Sequence, residues 1–121
     1  MTRATLLVTP EHRGGVSVLH LSGRLVLEDG DAVFRDAVNE LVAQNRIHLV
    51  VDLGDVTSID SAGIGVLVGR FPSVRRRGGD MKLANLTSRS HRVMTITQLL
   101  DVFDCFDSID EAVGSFAIAH P

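Results

Sequence analysis

The chain contains no tryptophan and no tyrosine, and its five aromatic residues are all phenylalanine. None of them sits in a basic cluster, so a stacking platform for nucleic-acid bases is unsupported. Positive charge is also scarce: 12 Lys and Arg stand against 15 Asp and Glu, a formal net charge of -3. No global basic field therefore favours nucleic acid or an anionic membrane. A single cysteine, Cys105, excludes an internal disulfide and a cysteine-based zinc site. Its apolar setting, Val102-Phe103-Asp104-Cys105-Phe106, predicts a buried and inert thiol. No apolar run reaches membrane-spanning length, and Met1-Thr2-Arg3-Ala4 lacks a signal-peptide pattern, so a cytoplasmic location is the expectation. Low-complexity tracts, repeats and linkers are lacking too. The 121 residues suffice for one core and not for two, which predicts a single domain over 1–121 with its core at about 5–116.

What is present is a regular alternation of apolar strands and amphipathic stretches. Leu6-Leu7-Val8-Thr9 reads as a first strand, and Pro10 marks its far end as an edge or loop. Gly14-Gly15 predicts a hairpin turn into Val16–Leu21. Asp29-Gly30-Asp31 opens a helix with Val33, Ala37, Val38, Leu41 and Val42 on its apolar stripe, and Gln44-Asn45-Arg46 ends it. Ile47–Leu53 is nearly continuous in apolar residues, as expected of a strand covered on both faces. A second helix follows from Ser61 to about Arg77, with Ile64, Leu67, Val68, Phe71 and Val74 inward and Pro72 to be absorbed. Arg75-Arg76-Arg77 before Gly78-Gly79 fits a solvated helix end, although a contact patch for an acidic partner or a phosphate is the other reading. Met81–Ala84 is a strand. Ser88 can cap a third helix with Val93, Ile96, Thr97 and Leu100 inward. Val102–Phe106 reads as a last strand, and Ser108-Ile109-Asp110-Glu111 as a capping box before Ala112, Val113, Phe116 and Ala117. The order β-β-α-β-α-β-α-β-α predicts an α/β fold with a mixed, mostly parallel sheet and helices packed mainly on one face.

The candidate chemistry centres on Thr57-Ser58-Ile59-Asp60-Ser61-Ala62-Gly63-Ile64-Gly65. Ser61 falls where a strand's exit becomes a helix, and free backbone N–H groups with the positive end of the helix dipole suit a phosphate there. The same hydroxyl could simply cap the helix, contributing ~1 kcal/mol. The two readings are compatible. Gly63, Gly65 and Gly69 each cost about 1 kcal/mol against alanine in a helix interior, so they need a packing or contact reason. Either this helix approaches the sheet closely, or Ala62, Gly65 and Gly69 make a flat surface for a partner beside Ser61.

Other chemistries fit less well. Gly63-Ile64-Gly65 begins a dinucleotide fingerprint, but its third glycine would fall at Val68 and Gly69 is one residue late. His12, His20, His48, His91 and His120 share no ligand spacing. A Ser61-based triad with Asp52 or Asp60 lacks the Gly-x-Ser-x-Gly turn, because residue 59 is Ile. Asp52 and Asp55 at a strand exit would suit magnesium, or would cap turns as such acids commonly do.

Asp60-Ser61-Ala62-Gly63-Ile64-Gly65, preceded by Val50-Val51-Asp52-Leu53 and followed by Gly78-Gly79-Asp80-Met81-Lys82-Leu83, resembles a STAS domain of the bacterial anti-sigma factor antagonist type. The resemblance runs from Gly15 to Phe116 and includes Asn85-Leu86-Thr87 and Leu100-Asp101-Val102-Phe103. It implies a mixed four- to five-stranded sheet with about four helices. It implies a non-catalytic regulator, without cofactor or metal, whose unphosphorylated form binds an anti-sigma factor that is itself a serine kinase and so frees a sigma factor. Phosphorylation of the serine after the aspartate, Ser61 here, reverses binding, and a phosphatase resets it. Two positions depart from the family's pattern: Ala62 stands where many members carry a second hydroxyl, and Val26 follows Gly23-Arg24-Leu25 where many carry an aspartate. On this reading Asp60 shapes the local field, Ala62, Gly63 and Gly65 permit close docking, and the loop with Val26, Glu28 and Asp29 forms a second contact edge. The alternative is a constitutive STAS scaffold subunit of a lipid-transport or stress-signalling complex. Whether the chain forms a homodimer is left open by the sequence.

Overall fold

The computed structural model describes residues 6–28 and 30–116. Five strands form one sheet in the order β1-β2-β3-β4-β5: β1 (Leu6–Arg13), β2 (Val16–Leu25), β3 (His48–Ile59), β4 (Asp80–Ala84) and β5 (Cys105–Phe106). β1 runs antiparallel to β2 across a two-residue turn at Gly14-Gly15, where Gly14 takes φ 60°. Every other pairing is parallel. Pro10 lies within β1, which is tolerated because β1 is an edge strand.

Each parallel strand is added at the same advancing edge, so crossovers of one hand carry the intervening helices over the same face. These helices are α1 (Asp31–Ala43), α2 (Ser61–Arg75) and α3 (Ser88–Ile96). The core beneath them joins Leu19, Leu21 and Leu25 of β2, Leu49, Val51 and Leu53 of β3, Phe34 and Val38 of α1, Leu67 and Val74 of α2, and Met94 of α3. No crossover remains after β5, and α4 (Ile109–Gly114) returns beneath the opposite face, where Ala112 and Phe116 meet Val16, Val18, Val50 and Ala84. Alternate residues of β3 thus serve both cores, which accounts for its apolar run.

Several local expectations are corrected. β3 does not stop at Leu53: it continues to Ile59, keeping its pairing with β2 through two register shifts that absorb extra residues. Thr87, not Ser88, caps α3, its Oγ1 accepting from the Ser90 N–H at 3.1 Å. That cap sets Ser90 and Met94 inward with Val93 beside them, and it turns Ile96 (73% exposed) and Thr97 to solvent. β5 is only two residues long, because Phe103 leaves the sheet line to fill the core against Phe71, with ring centroids 4.9 Å apart. In α1, Phe34 is fully buried and Val33 is partly exposed, so the stripe is rotated by one residue at its start. Cys105 is exposed rather than buried, although its Sγ donates to the Phe103 carbonyl at 3.6 Å. Partial burial of the sulfur, followed by the negative charge of Asp104, pushes the thiol pKa up.

Pro72 sits inside α2, which continues to Arg75. The helix closes with Gly78 at φ 89° and with hydrogen bonds from Gly79 N to Val74 O and Gly78 N to Arg75 O, the paired pattern of a Schellman stop. Arg76 and Arg77 are solvated there, and Arg75 pairs with Asp80 at 3.4 Å. At α4, Ser108 accepts from Glu111 N at 3.1 Å, as the capping box predicts. Ala117 lies outside the described residues.

Candidate functional site

The site is built where β3 ends. Ile59 still pairs with Leu25 of β2, and Ser61 is already the first residue of α2. A single extended residue, Asp60, makes the connection and serves as the N-cap. Its Oδ1 accepts from Gly63 N at 3.0 Å and its Oδ2 from Leu27 N at 3.1 Å. One carboxylate therefore caps the helix and ties down the loop between β2 and α1. The Gly63 N–H, with a further contribution from Leu27 N–H, outweighs slight desolvation and holds the Asp60 carboxyl below the usual carboxylate value. It is anionic at neutral pH.

Because Asp60 takes the cap, Ser61 does not. Its side chain is exposed, and among the described residues nothing forms a hydrogen bond with its hydroxyl. The oxygen stands in solvent on the first helical turn, beside a fixed anion.

The three glycines divide by role. Gly65 and Gly69 are exposed, and a side chain at either would meet open space. Gly63 is buried, and a Cβ there would run into the Leu25 carbonyl oxygen. Gly63 therefore seats α2 against the end of β2, and it presents no surface for docking in this conformation. Ala62 is half-buried.

The loop that Asp60 holds is similarly divided. Val26 is buried at 9% exposure and is withdrawn from the surface; Glu28 is exposed and sits in the left-handed region at φ 64°. Asp29 lies outside the described residues. Leu27, which sequence reasoning passed over, is the apolar side chain that points outward, at 61% exposure. Gly30 closes the loop, and a Cβ there would strike the Arg24 carbonyl. No signal short of the loop's own geometry distinguishes Leu27 from Val26.

The remaining candidates do not join the site. Asp52 accepts from Gly54 N at 3.0 Å and from Asn85 Nδ2 at 3.0 Å and lies 2.8 Å from His20 Nδ1, which makes it an anchor within β3, at the first register shift with β2. It lies on the α4 side of the sheet, whereas Ser61 opens a helix on the other side, so the two cannot form a triad. Among the described residues, no group of three or more His, Cys, Asp or Glu side chains is arranged to hold a metal ion. No helix in that part of the chain is long and apolar enough to cross a membrane.

Comparison with known proteins agrees with this architecture. An anti-sigma F factor antagonist of Paenibacillus polymyxa is 29% identical over 104 residues, covering 85% of this chain and 88% of the relative. The crystal structure of an anti-sigma factor antagonist from Mycobacterium paratuberculosis superposes with a TM-score of 0.83 at 22% identity, over 94% of this chain and 96% of that one. The Bacillus cell fate determinant SpoIIAA in its phosphorylated form superposes with a TM-score of 0.70 at 18% identity, over 89% of this chain and 97% of that one. At these identities the two structures speak for the fold. The sequence profile of the STAS domain matches residues 8–112, from within β1 into α4. On that match, which takes in most of β1, all of β2 to β5 and the Asp60-Ser61 corner, the chain belongs to the STAS domain family.

Proposed function

We propose that the chain is an anti-sigma factor antagonist, a non-catalytic switch in which Ser61 is the phosphoacceptor. The observation that carries this reading is the free, exposed Ser61 hydroxyl on the first turn of α2, with capping assigned to Asp60. The similarity to an anti-sigma F factor antagonist, and the existence of a phosphorylated form of one structural neighbour, support it. In the unphosphorylated state Ser61, Ala62, Gly65 and the outward side of the 26–30 loop meet an anti-sigma factor and release its sigma factor. A kinase activity of that partner then adds roughly -1.5 to -2 charges to Ser61. The helix start accepts an anion, since its dipole favours one. The complex does not, because Asp60 already places a carboxylate there and a docked partner would have to desolvate both. A phosphatase restores the hydroxyl.

The test is incubation with ATP and each purified serine kinase of the histidine-kinase-like ATPase fold from the host, followed by peptide mass spectrometry. Phosphate is expected on Ser61. Ser61→Ala should bind the same kinase as the parent does and take no phosphate, and Ser61→Asp should bind at least about tenfold more weakly, as expected for unpaired like charge at an interface. Phosphate on Thr57 or Ser58 with Ser61 unmodified would reject the assignment. Equal binding by both variants would reject the switch and favour a constitutive scaffold.

A further inference from the structure

His20, on β2, has both ring nitrogens against carboxylates: Nε2 lies 2.7 Å from Glu11 Oε1, and Nδ1 lies 2.8 Å from Asp52 Oδ2. A neutral imidazole has one N–H and one lone pair, so it can satisfy only one of these oxygens and must turn a lone pair on the other. The imidazolium ion donates to both. The two carboxylates belong to β1 and β3, the strands on either side of β2, so the ring spans three adjacent strands.

The contacts continue outward at both ends. Glu11 Oε2 accepts from Arg13 Nε at 2.7 Å, and Arg13 donates to Asp110 Oδ1 at 2.7 Å, in the first turn of α4. At the other end Asp52 holds the Gly54 N–H and the side chain of Asn85, a residue in the left-handed region just after β4. The first register shift between β2 and β3 comes directly after the His20–Asp52 pair.

We propose that His20 is a proton-operated clasp: as a cation it fastens edge strand β1, and through Arg13 the start of α4, to the middle of the sheet, and on losing its proton it releases one of the two carboxylates. The charged groups facing or adjoining the ring are Glu11 and Arg13 from β1, Asp52 from β3 and, beyond Arg13, Asp110 from α4. Arg13 is spent between Glu11 and Asp110, which leaves the ring in a net negative surrounding. Partial burial works against the charge on His20, and the hydrogen bonds with Glu11 and then Asp52 outweigh it, so its pKa is raised above the ordinary histidine value. For a group raised on folding, the stabilisation is complete below the unfolded value of about 6.5 and is lost as pH climbs through the folded value.

The test uses the purified chain alone. Nitrogen-15 NMR titration of the His20 ring should show its midpoint above the ordinary histidine value of about 6.5. Urea unfolding at pH 6.5 and 8.5 should show the unfolding constant rising about two- to fivefold more in the parent than in His20→Gln, the size of one partly exposed ion pair. Amide exchange in β1, corrected for intrinsic rate, should accelerate over the same interval in the parent only. Glu11→Gln, which keeps the histidine, should lower the midpoint of the His20 titration, and it decides the matter should His20→Gln not fold. A His20 midpoint at or below the ordinary histidine value, an equal pH dependence in both chains, or an unmoved midpoint in Glu11→Gln would overturn the proposal.

Discussion

Gly63→Ala is the most direct probe of the corner that presents Ser61. Alanine in place of glycine in an exposed helix interior stabilises by up to ~1 kcal/mol. At Gly65 and Gly69, where a Cβ meets open space, Gly→Ala should realise part of that gain. At Gly63 the added Cβ would run into the Leu25 carbonyl oxygen and come within 3.0 Å of Leu25 Cγ. Leu25 is fully buried and cannot swing away. Either α2 shifts off the sheet or the end of β2 moves, and overpacking of this kind costs about 1–3 kcal/mol. After the helix gain is subtracted, Gly63→Ala should be less stable than the parent by up to about 2 kcal/mol, as much as a roughly thirtyfold rise in the unfolding constant. The assay is urea denaturation of the parent and the three single variants, with an unchanged m value confirming that stability alone has moved. A Gly63→Ala midpoint at or above the parent's, or level with that of Gly65→Ala, would refute the seating of α2 against Leu25.

Two further outcomes follow from the same geometry. Asp60→Ala removes the acceptor for both Gly63 N and Leu27 N and should cost about 1–2 kcal/mol, with faster amide exchange at Leu27; Asp60→Asn, which keeps one acceptor oxygen, should cost less. Cys105 should react slowly with iodoacetamide at pH 7 despite its exposure, and faster as pH rises past the ordinary thiol value, because partial burial and Asp104 both disfavour the thiolate; rapid labelling at pH 7 would contradict this.

The alternation of strands and helices, the double coverage of the central strand, the capping box at Ser108 and the stop at Gly78 were all legible, because each rests on local pattern. The length of β3 was not. Gly54, Asp55, Thr57 and Ser58 read as a loop, and they are held extended by a partner, β2, whose register has to slip twice to follow them. The same cause hid the assignment of the cap. Asp60 and Ser61 are both good capping residues, and only the persistence of pairing to Ile59 leaves a single residue for the corner and hands the cap to the aspartate. Leu27 was passed over in favour of Val26 because outward and inward positions in that loop depend on Gly30 and on a hydrogen bond from 33 residues away. The ion chain around His20 had no sequence signal, since Glu11 and Asp52 reach it only through strand pairing.

The two margins of the sheet have a bearing on how such a protein survives at high concentration. One outer strand carries Pro10, which has no N–H to offer an incoming chain, and the other is just Cys105–Phe106, too short to template one. Both borders are thereby poor templates for a growing ribbon of copies.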